Sequence, residues 1–139
     1  MMLHTGDGIA RNLPEAVRYY EMAIKAGYPR AMNNLANMYE NGEGGPKDFD
    51  KAMSLYRRAA QMGHSSAMLN LAEIYETSPL VKKSVFLPLA YYMLASKYGS
   101  PEADEGLKRL KASSDPATIE KAQTYASAWK PGKAMPEET

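Results

Sequence analysis

The sequence predicts an all-α fold, a right-handed α-solenoid of antiparallel helix pairs that ends in a C-terminal capping helix. Two observations predict it. Small, apolar and aromatic residues recur at a constant spacing of 36 residues, and the apolar residues within each repeat are three or four positions apart, as on one helix face. A period of roughly 20 to 50 residues is typical of a solenoid, because each repeat buries its apolar face only against its neighbours.

Six series of positions are in register along the chain. They are Tyr20, Tyr56 and Tyr92; Ala23, Ala59 and Ala95; Gly27, Gly63 and Gly99; Ala31, Ala67 and Ala103; Leu35, Leu71 and Leu107; and Tyr39 with Tyr75. Chance does not readily give so many matches at one spacing without a gap. We therefore interpret the 36-residue segment as the unit of the fold.

The repeat over 28–63 is predicted to begin with a helix over 29–40. Pro29 suits a first helical turn, where its missing N–H costs nothing. The inner face of this helix comprises Ala31, Leu35, Met38 and Tyr39. The glycine-rich segment 41–46 then ends the helix, since glycine readily adopts positive φ and proline cannot continue the hydrogen-bond ladder.

The second helix of this repeat is predicted to run to about Met62. Asp48 is its N-cap candidate, because a carboxylate there accepts the free amides of the helix start. Its inner face comprises Ala52, Leu55, Tyr56, Ala59 and Ala60. Gly63 ends the helix, so the repeat consists of a helix, a glycine-rich turn, a second helix and a glycine stop.

This pattern resembles a Sel1-like repeat. The residues that carry the resemblance are Ala31, Leu35, Ala36, Tyr39, Gly42, Gly44, Asp48, Ala52, Tyr56, Ala59, Ala60 and Gly63. Sel1-like repeats are relatives of tetratricopeptide repeats with a slightly longer unit and a Gly-x-Gly turn. The resemblance implies a partial repeat over 1–27, a repeat over 28–63, a repeat with an altered turn over 64–99, and a half repeat plus capping helix over 100–130.

The altered turn lies in residues 76–83, where the Gly-x-Gly is absent and, further on, Pro88 replaces the helix alanine. Because the total length of this repeat is unchanged, we expect a changed turn within a preserved helix pair.

The N-terminal end of the array is expected to be incomplete. Only five residues precede Gly6, so the helix predicted over 13–26 would present an uncovered apolar face. We expect that the chain is the C-terminal part of a longer array, or that a second copy covers this face in a homodimer.

The C-terminal end is expected to be closed by a helix. After a helix over 101–112, Asp115 and Pro116 predict an N-cap and a first helical position. The helix that follows is expected to run to about Lys130, with Trp129 sealing the last helix pair. The segment 131–139 is expected to be a flexible tail.

Composition excludes several classes of protein. The 139 residues carry a net charge of +1, with 17 basic and 16 acidic residues spread along the chain, which argues against a nucleic-acid binder. No segment approaches the roughly 18 apolar residues that span a bilayer. The absence of cysteine excludes disulfides and thiolate metal sites. No signal peptide is evident, and the compartment, cytoplasmic or periplasmic, stays open.

No catalytic, cofactor-binding or metal-binding residues are predicted. The chain lacks a His-Glu-x-x-His motif, a phosphate loop and a Gly-x-Ser-x-Gly elbow. His64 follows a stop glycine and is expected to cap a helix locally, while His4 has no obvious partner. We therefore expect no enzyme. A β-lactamase-like activity, associated with cysteine-rich members of the resembled family, is a lesser alternative because those cysteines are missing.

The resemblance to tetratricopeptide repeats implies a concave face lined by the first helix of each repeat. Partner-binding candidates on that face are Arg30, Asn33, Asn34, Asn37, Asn41, Ser66, Asn70 and Glu73. Asn34 and Asn70 share one repeat position, and their amides, which both donate and accept, suit the backbone of an extended peptide. Alternatively, asparagine at this position caps or braces the neighbouring helix.

We expect a non-enzymatic scaffold that binds another protein or an extended peptide on this concave face. The resemblance implies a bacterial adaptor. The alternative is a purely structural segment of a longer repeat protein, with no binding site of its own.

Overall fold

The computed structural model describes residues 13–43, 46–81 and 83–133. Within these residues it contains seven α-helices and no strand: α1 Leu13–Lys25, α2 Pro29–Asn41, α3 Phe49–Gln61, α4 Ser65–Thr77, α5 Phe86–Lys97, α6 Pro101–Ser113 and α7 Pro116–Ala128. The chain forms two compact units, an N-terminal unit of residues 1–59 and a C-terminal unit of residues 60–139. His4, Gly6 and Gly44 lie outside the described residues, as do residues 134–139.

The predicted helices are confirmed with small shifts at their ends. Helix α2 begins at Pro29 as expected and extends one residue beyond the predicted 29–40. Helix α7 begins at Pro116 but ends at Ala128, earlier than the predicted Lys130. Terminal turns are the least certain part of a sequence-based helix assignment, because they lack a full set of ladder hydrogen bonds.

The recurring stop glycines have a conformational cause. Gly27, Gly63 and Gly99 have φ of 86°, 93° and 105°, a region in which a side chain is strained. The positive φ turns the chain back on the helix end. For example, the amide after Gly99, that of Ser100, donates to the carbonyl of Ala95 at 2.9 Å. The glycine series is therefore a series of helix C-caps.

In the N-terminal unit, α2 and α3 bury the faces that the sequence predicts. Ala52, Tyr56 and Ala59 are 0% exposed. Oδ1 of Asp48 accepts the amide of Lys51 at 3.1 Å, which confirms the predicted N-cap. The amide of Asp48 also donates to the carbonyl of Tyr39 at 2.9 Å. This hydrogen bond ties the start of α3 to the last turn of α2.

In the C-terminal unit, α5 is the central helix and packs against α4, α6 and α7. All its residues from Leu87 to Ala95 are buried, as expected of a helix that is apolar all round. Pro88 is the third residue of α5, a position at which a backbone N–H would have no intrahelical acceptor, so the missing N–H of proline costs nothing. The helix pair is therefore preserved despite the altered turn. Tyr75 and Tyr91 stack between α4 and α5 with ring centres 5.6 Å apart.

The N-cap of α4 is His64, in line with its expected local capping role, but the side chain of this histidine makes no capping hydrogen bond. Instead, the backbone carbonyl of His64 accepts the amide of Met68 at 3.2 Å. Extended backbone at this N-cap position is sufficient to begin the helix.

The closing helix is confirmed and is held at both ends. Asp115 caps its start by accepting the amide of Thr118 at 2.7 Å, which lowers the pKa of Asp115. At its other end, Nζ of Lys97 donates to the carbonyls of Ala126 at 3.0 Å and Trp129 at 2.9 Å. A cation at the carboxyl end of a helix satisfies its last carbonyls and complements its dipole.

Trp129 seals this end of the C-terminal unit, as predicted. It is 2% exposed, and its ring packs edge-to-face on Tyr98 at 5.6 Å. Residues 131–133 are exposed but are hydrogen-bonded to the rest of this unit. Indole Nε1 of Trp129 donates to the carbonyl of Lys133 at 3.2 Å, and the amide of Gly132 donates to the carbonyl of Gln61 at 2.8 Å. The prediction of a loose segment from 131 onward therefore needs correction over residues 131–133.

A hydrogen-bonded carboxylate joins α4, α5 and α6. Glu76 accepts the hydroxyl of Tyr92 at 2.7 Å and forms a two-pronged ion pair with Arg109. The hydrogen bond from Arg109 holds the pKa of Glu76 below its usual value. Burial, with Glu76 adding to it, raises the pKa of Tyr92 to about 12.

We expect Glu76→Gln to lower the free energy of unfolding by roughly 1 kcal/mol at neutral pH, because the exposed arginine keeps the ion pair weak. A depressed carboxyl pKa stabilises the folded state above the unfolded pKa of about 4.3, and that stabilisation is lost as the pH falls through the folded value. The gap between wild type and variant should therefore narrow below about pH 4.3 in urea unfolding measured across pH. Arg109→Gln should flatten the same acid dependence, and a gap that widens in acid would contradict this assignment.

We also expect Gly106→Ala in α6 to destabilise the protein by about 1–2 kcal/mol. A Cβ at Gly106 would lie 2.4 Å from Cε1 of Tyr92, and the Tyr92 ring is 2% exposed and tied to Glu76. Overpacking of this kind outweighs the helix propensity gained from alanine. Urea unfolding measures the change. In a Tyr92→Leu background the substitution should be neutral or stabilising, and equal effects in the two backgrounds would refute the close contact.

Candidate partner-binding groove

A cavity of about 440 Å³ lies at the end of the α1–α2 hairpin, beside the turn that joins these helices. We call it the tyrosine groove. Its lining residues are Tyr19, Tyr20, Ala23, Tyr28, Arg30, Ala31 and Asn34. All of these described lining residues belong to the N-terminal unit.

Small residues form part of the groove lining, with tyrosines beside them. Ala23 and Ala31 occupy two of the recurring alanine positions, one on each helix, and these short side chains leave the space that the cavity fills. Tyr19 and Tyr28 are 49% and 60% exposed, whereas Tyr20 is 8% exposed. The rings of Tyr19 and Tyr20 meet edge-to-face with centres 5.5 Å apart. The groove therefore presents two accessible aromatic rings beside one buried ring.

Asn34 is hydrogen-bonded to the buried tyrosine of the groove. Burial raises the pKa of Tyr20, its neighbour Tyr19 adds to the effect, and the side-chain hydrogen bond with Asn34 opposes it. This interaction is the kind that the bracing alternative for Asn34 predicts. An amide has two donor hydrogens and a carbonyl oxygen, so one bond to Tyr20 leaves further capacity toward the groove.

Arg30 supplies the positive charge of the groove. It is exposed and belongs to the first turn of α2, which contains no acidic residue. Arg30 and Asn34 are four residues apart, so their side chains lie on the same helix face roughly 6 Å apart. The groove thus combines aromatic rings, an amide and a guanidinium within about one helical turn.

Two of the other predicted residues of α2 serve the interior. Asn33 is 7% exposed, so its assignment to a partner-binding face is corrected. Asn37 accepts the hydroxyl of Tyr56 at 2.5 Å, and that hydroxyl also lies 2.7 Å from Oε1 of Glu40. Asn41 is exposed at the end of α2, away from the groove lining.

The predicted residues of the C-terminal unit lie on α4. Ser66 and Glu73 are exposed, and Asn70 is half-buried. The backbone carbonyl of Glu73 accepts the hydroxyl of Thr77 at 2.8 Å. Asn70 and Glu73 each also interact with other groups of the protein.

Sequence reasoning missed the tyrosines of the groove. Tyr20 was recognised as a repeat position, but Tyr19 and Tyr28 were not singled out. The available signal was at Tyr28, whose counterparts one and two repeats later are His64 and Ser100. An aromatic residue among polar counterparts at a helix start indicates a local role beyond packing.

The described residues contain neither a metal-binding cluster nor a membrane-spanning helix. Across 13–43, 46–81 and 83–133, no group of three or more histidine, aspartate or glutamate side chains could hold a metal ion. Within these same ranges, no helix has the length and apolar character needed to cross a bilayer.

Comparison with known proteins places the chain in a family. The model of the Sel1 repeat matches residues 1–28, 29–64 and 65–86, which is more than half of the chain. A Sel1 repeat protein from Oxalobacter formigenes is 36% identical, with a TM-score of 0.64 over 76% of this chain and 79% of that chain. No curated protein matches the chain.

A second solved structure supports the fold. It is a protective antigen present in uropathogenic Escherichia coli strains that displays an SLR fold, with 24% identity and a TM-score of 0.78 over 89% of this chain. The chain spans 27% of that antigen's length. With the helices described above, the two structures establish an all-α helical-repeat solenoid. Sel1 repeats generally serve as protein-interaction scaffolds and are generally non-catalytic, and this chain belongs to the Sel1 repeat family.

Proposed function

We propose that this chain is a non-enzymatic scaffold and that its tyrosine groove binds an extended segment of a partner protein. One observation carries the proposal: two tyrosine rings, about half exposed, border a cavity that also contains a guanidinium and an amide. Tyrosine and arginine are the residue types that most often dominate binding energy at protein interfaces. Exposed rings of this kind combine a large apolar face with a hydrogen-bonding hydroxyl.

The dimensions of the groove suit side chains rather than a folded domain. Its volume of about 440 Å³ falls within the roughly 300–1,000 Å³ of typical ligand sites, which is room for a few side chains of a bound segment. The remaining hydrogen-bonding capacity of Asn34 can serve the backbone of that segment, whatever its sequence. Tyr19 and Tyr28 then supply the apolar contact area.

The other surface residues of the predicted face remain candidates for a second contact. Asn41, Ser66, Asn70 and Glu73 belong to this set, and we assign them no separate ligand. The purely structural alternative gains support from Asn37, which is already engaged by Tyr56. It gains further support from the bond between Asn34 and Tyr20.

We expect the tyrosine groove to select peptides from a displayed random library panned on the full chain. Tyr28→Ala should weaken a selected peptide at least about tenfold, as truncation of an interface tyrosine costs 1–2 kcal/mol or more. Met22→Ala is the matched control, because Met22 is 73% exposed on α1 and is not part of the groove lining. It should change affinity less than about twofold. Fluorescence anisotropy measures both, and urea unfolding verifies that the variants stay folded.

The library also separates the rival functions. If no peptide is selected, or if selected peptides bind Tyr28→Ala as tightly as wild type, the groove is not the binding site. A replacement of both Asn34 and Asn70 by alanine that leaves affinity and stability unchanged would remove the asparagines from the proposal while leaving the tyrosines in it.

A further inference from the structure

We propose that the tyrosine groove is selective for an acidic segment, in which an aspartate or glutamate side chain adjoins an aromatic or aliphatic one. This inference rests on the proposed function and adds the chemistry of the ligand. The carboxylate would pair with Arg30, and the apolar neighbour would lie between the rings of Tyr19 and Tyr28.

The described lining of the groove is positively charged. Arg30 is the single charged side chain among the seven lining residues, and none of the seven is acidic. Among ion pairs between described residues, none engages Arg30. Its side chain is exposed, and a guanidinium binds a carboxylate through two parallel hydrogen bonds. Because such charge-assisted bonds are roughly twice as strong as neutral ones, a carboxylate is the preferred partner.

The nearby negative charge of Glu43 lies outside the groove lining. Glu43 lies beyond the end of α2 and is the weakest of the four influences on the pKa of Tyr20. It is not a lining residue. Along α2 the order is thus Arg30, then Asn34, then the carboxylate of Glu43. A bound acidic side chain belongs at the Arg30 end, where the amino-terminal end of the helix dipole adds positive potential.

The aromatic rings alone would not decide the sign of the ligand. Tyrosine faces attract cations as well as apolar groups, so a groove of tyrosines without Arg30 would tolerate a basic segment. Placing a lysine or arginine of the ligand within the same groove brings two positive charges together. Repulsion at such short range costs more than an exposed cation–π contact returns.

The groove favours an internal segment over a chain terminus. Tyr19 and Tyr28 remain about half exposed, so the site is a shallow, open surface across which a chain can continue. A pocket for a terminal carboxylate would instead enclose the charged end. The relevant probes are therefore peptides whose own termini are blocked.

The test uses three acetylated and amidated peptides that share a core of leucine and tyrosine and differ only in flanking glutamate, glutamine or lysine. Binding to the full chain is measured by fluorescence anisotropy at two salt concentrations. The glutamate peptide should bind about tenfold more tightly than the glutamine peptide, and the lysine peptide should bind most weakly. Added salt should reduce the preference.

Variants of Arg30 identify the charge that is responsible. Arg30→Gln should abolish the difference between the glutamate and glutamine peptides, and Arg30→Glu should shift the preference to the lysine peptide. Arg58→Gln is the matched control, because Arg58 is exposed on α3 of the N-terminal unit and outside the groove lining. It should keep the preference for glutamate within about twofold.

Each outcome bears on a different statement. A preference for glutamate that survives Arg30→Gln overturns this inference. Binding that depends on Tyr28 but favours glutamine or lysine also overturns it, while the proposed peptide-binding function survives. Failure of all three peptides together with an empty library selection removes the proposed function itself. Light scattering that shows a dimer dissociated by Tyr28→Ala would make a second copy of the chain the occupant, and would equally overturn the acidic segment.

Discussion

Close packing at the recurring alanines is the constraint on which the structure depends. Alanines of both compact units, such as Ala52, Ala67 and Ala103, are 0% exposed, and side chains this small let helix backbones approach closely. The larger spaces that remain are filled by tyrosines such as Tyr56 and Tyr92, whose hydroxyls both lie 2.7 Å from a glutamate oxygen 16 residues earlier. Each repeat therefore has small and bulky residues at fixed separations. Because the same packing positions recur in successive repeats, these residue types recur every 36 residues in the sequence.

The tyrosine groove is the place where this alanine packing is left partly open. The alanines one repeat later than Ala23 and Ala31 are fully buried, whereas Ala23 itself is half-buried. The side chains beside it, Tyr19 and Tyr28, point their accessible surface to solvent instead of completing a core. The groove is therefore formed by small and aromatic residues of the same kinds that pack the core, at a place where they remain partly exposed.

Local features of the fold could be predicted from the sequence, and nonlocal ones could not. Asp48 caps α3 by accepting an amide three residues further along the chain, so proximity along the chain was enough to identify it. By contrast, the packing of residues 131–133 near Gln61 joins positions about 70 apart, and no short-range pattern indicates it. Asn33 was assigned to the wrong face because a one-position rotation on a helix moves a side chain by about 100°. Within a run of asparagines, composition alone does not fix which one faces inward.

The same contrast explains why an interaction site in this family resists identification from repeat positions. Asn34 and Asn70 share one repeat position, although the next repeat has Gly106 there, and Asn34 interacts with the buried Tyr20, which is a packing role that neighbouring repeats can share. A residue that differs from its counterparts at the same repeat position is not explained by a packing role common to the repeats. Arg30 has serine and glutamate as its counterparts one and two repeats later, so its charge belongs to a single location. In a solenoid, residues whose identity is kept from one repeat to the next form the framework of the surface. Residues whose identity changes, such as Arg30, give that surface its preference for a ligand.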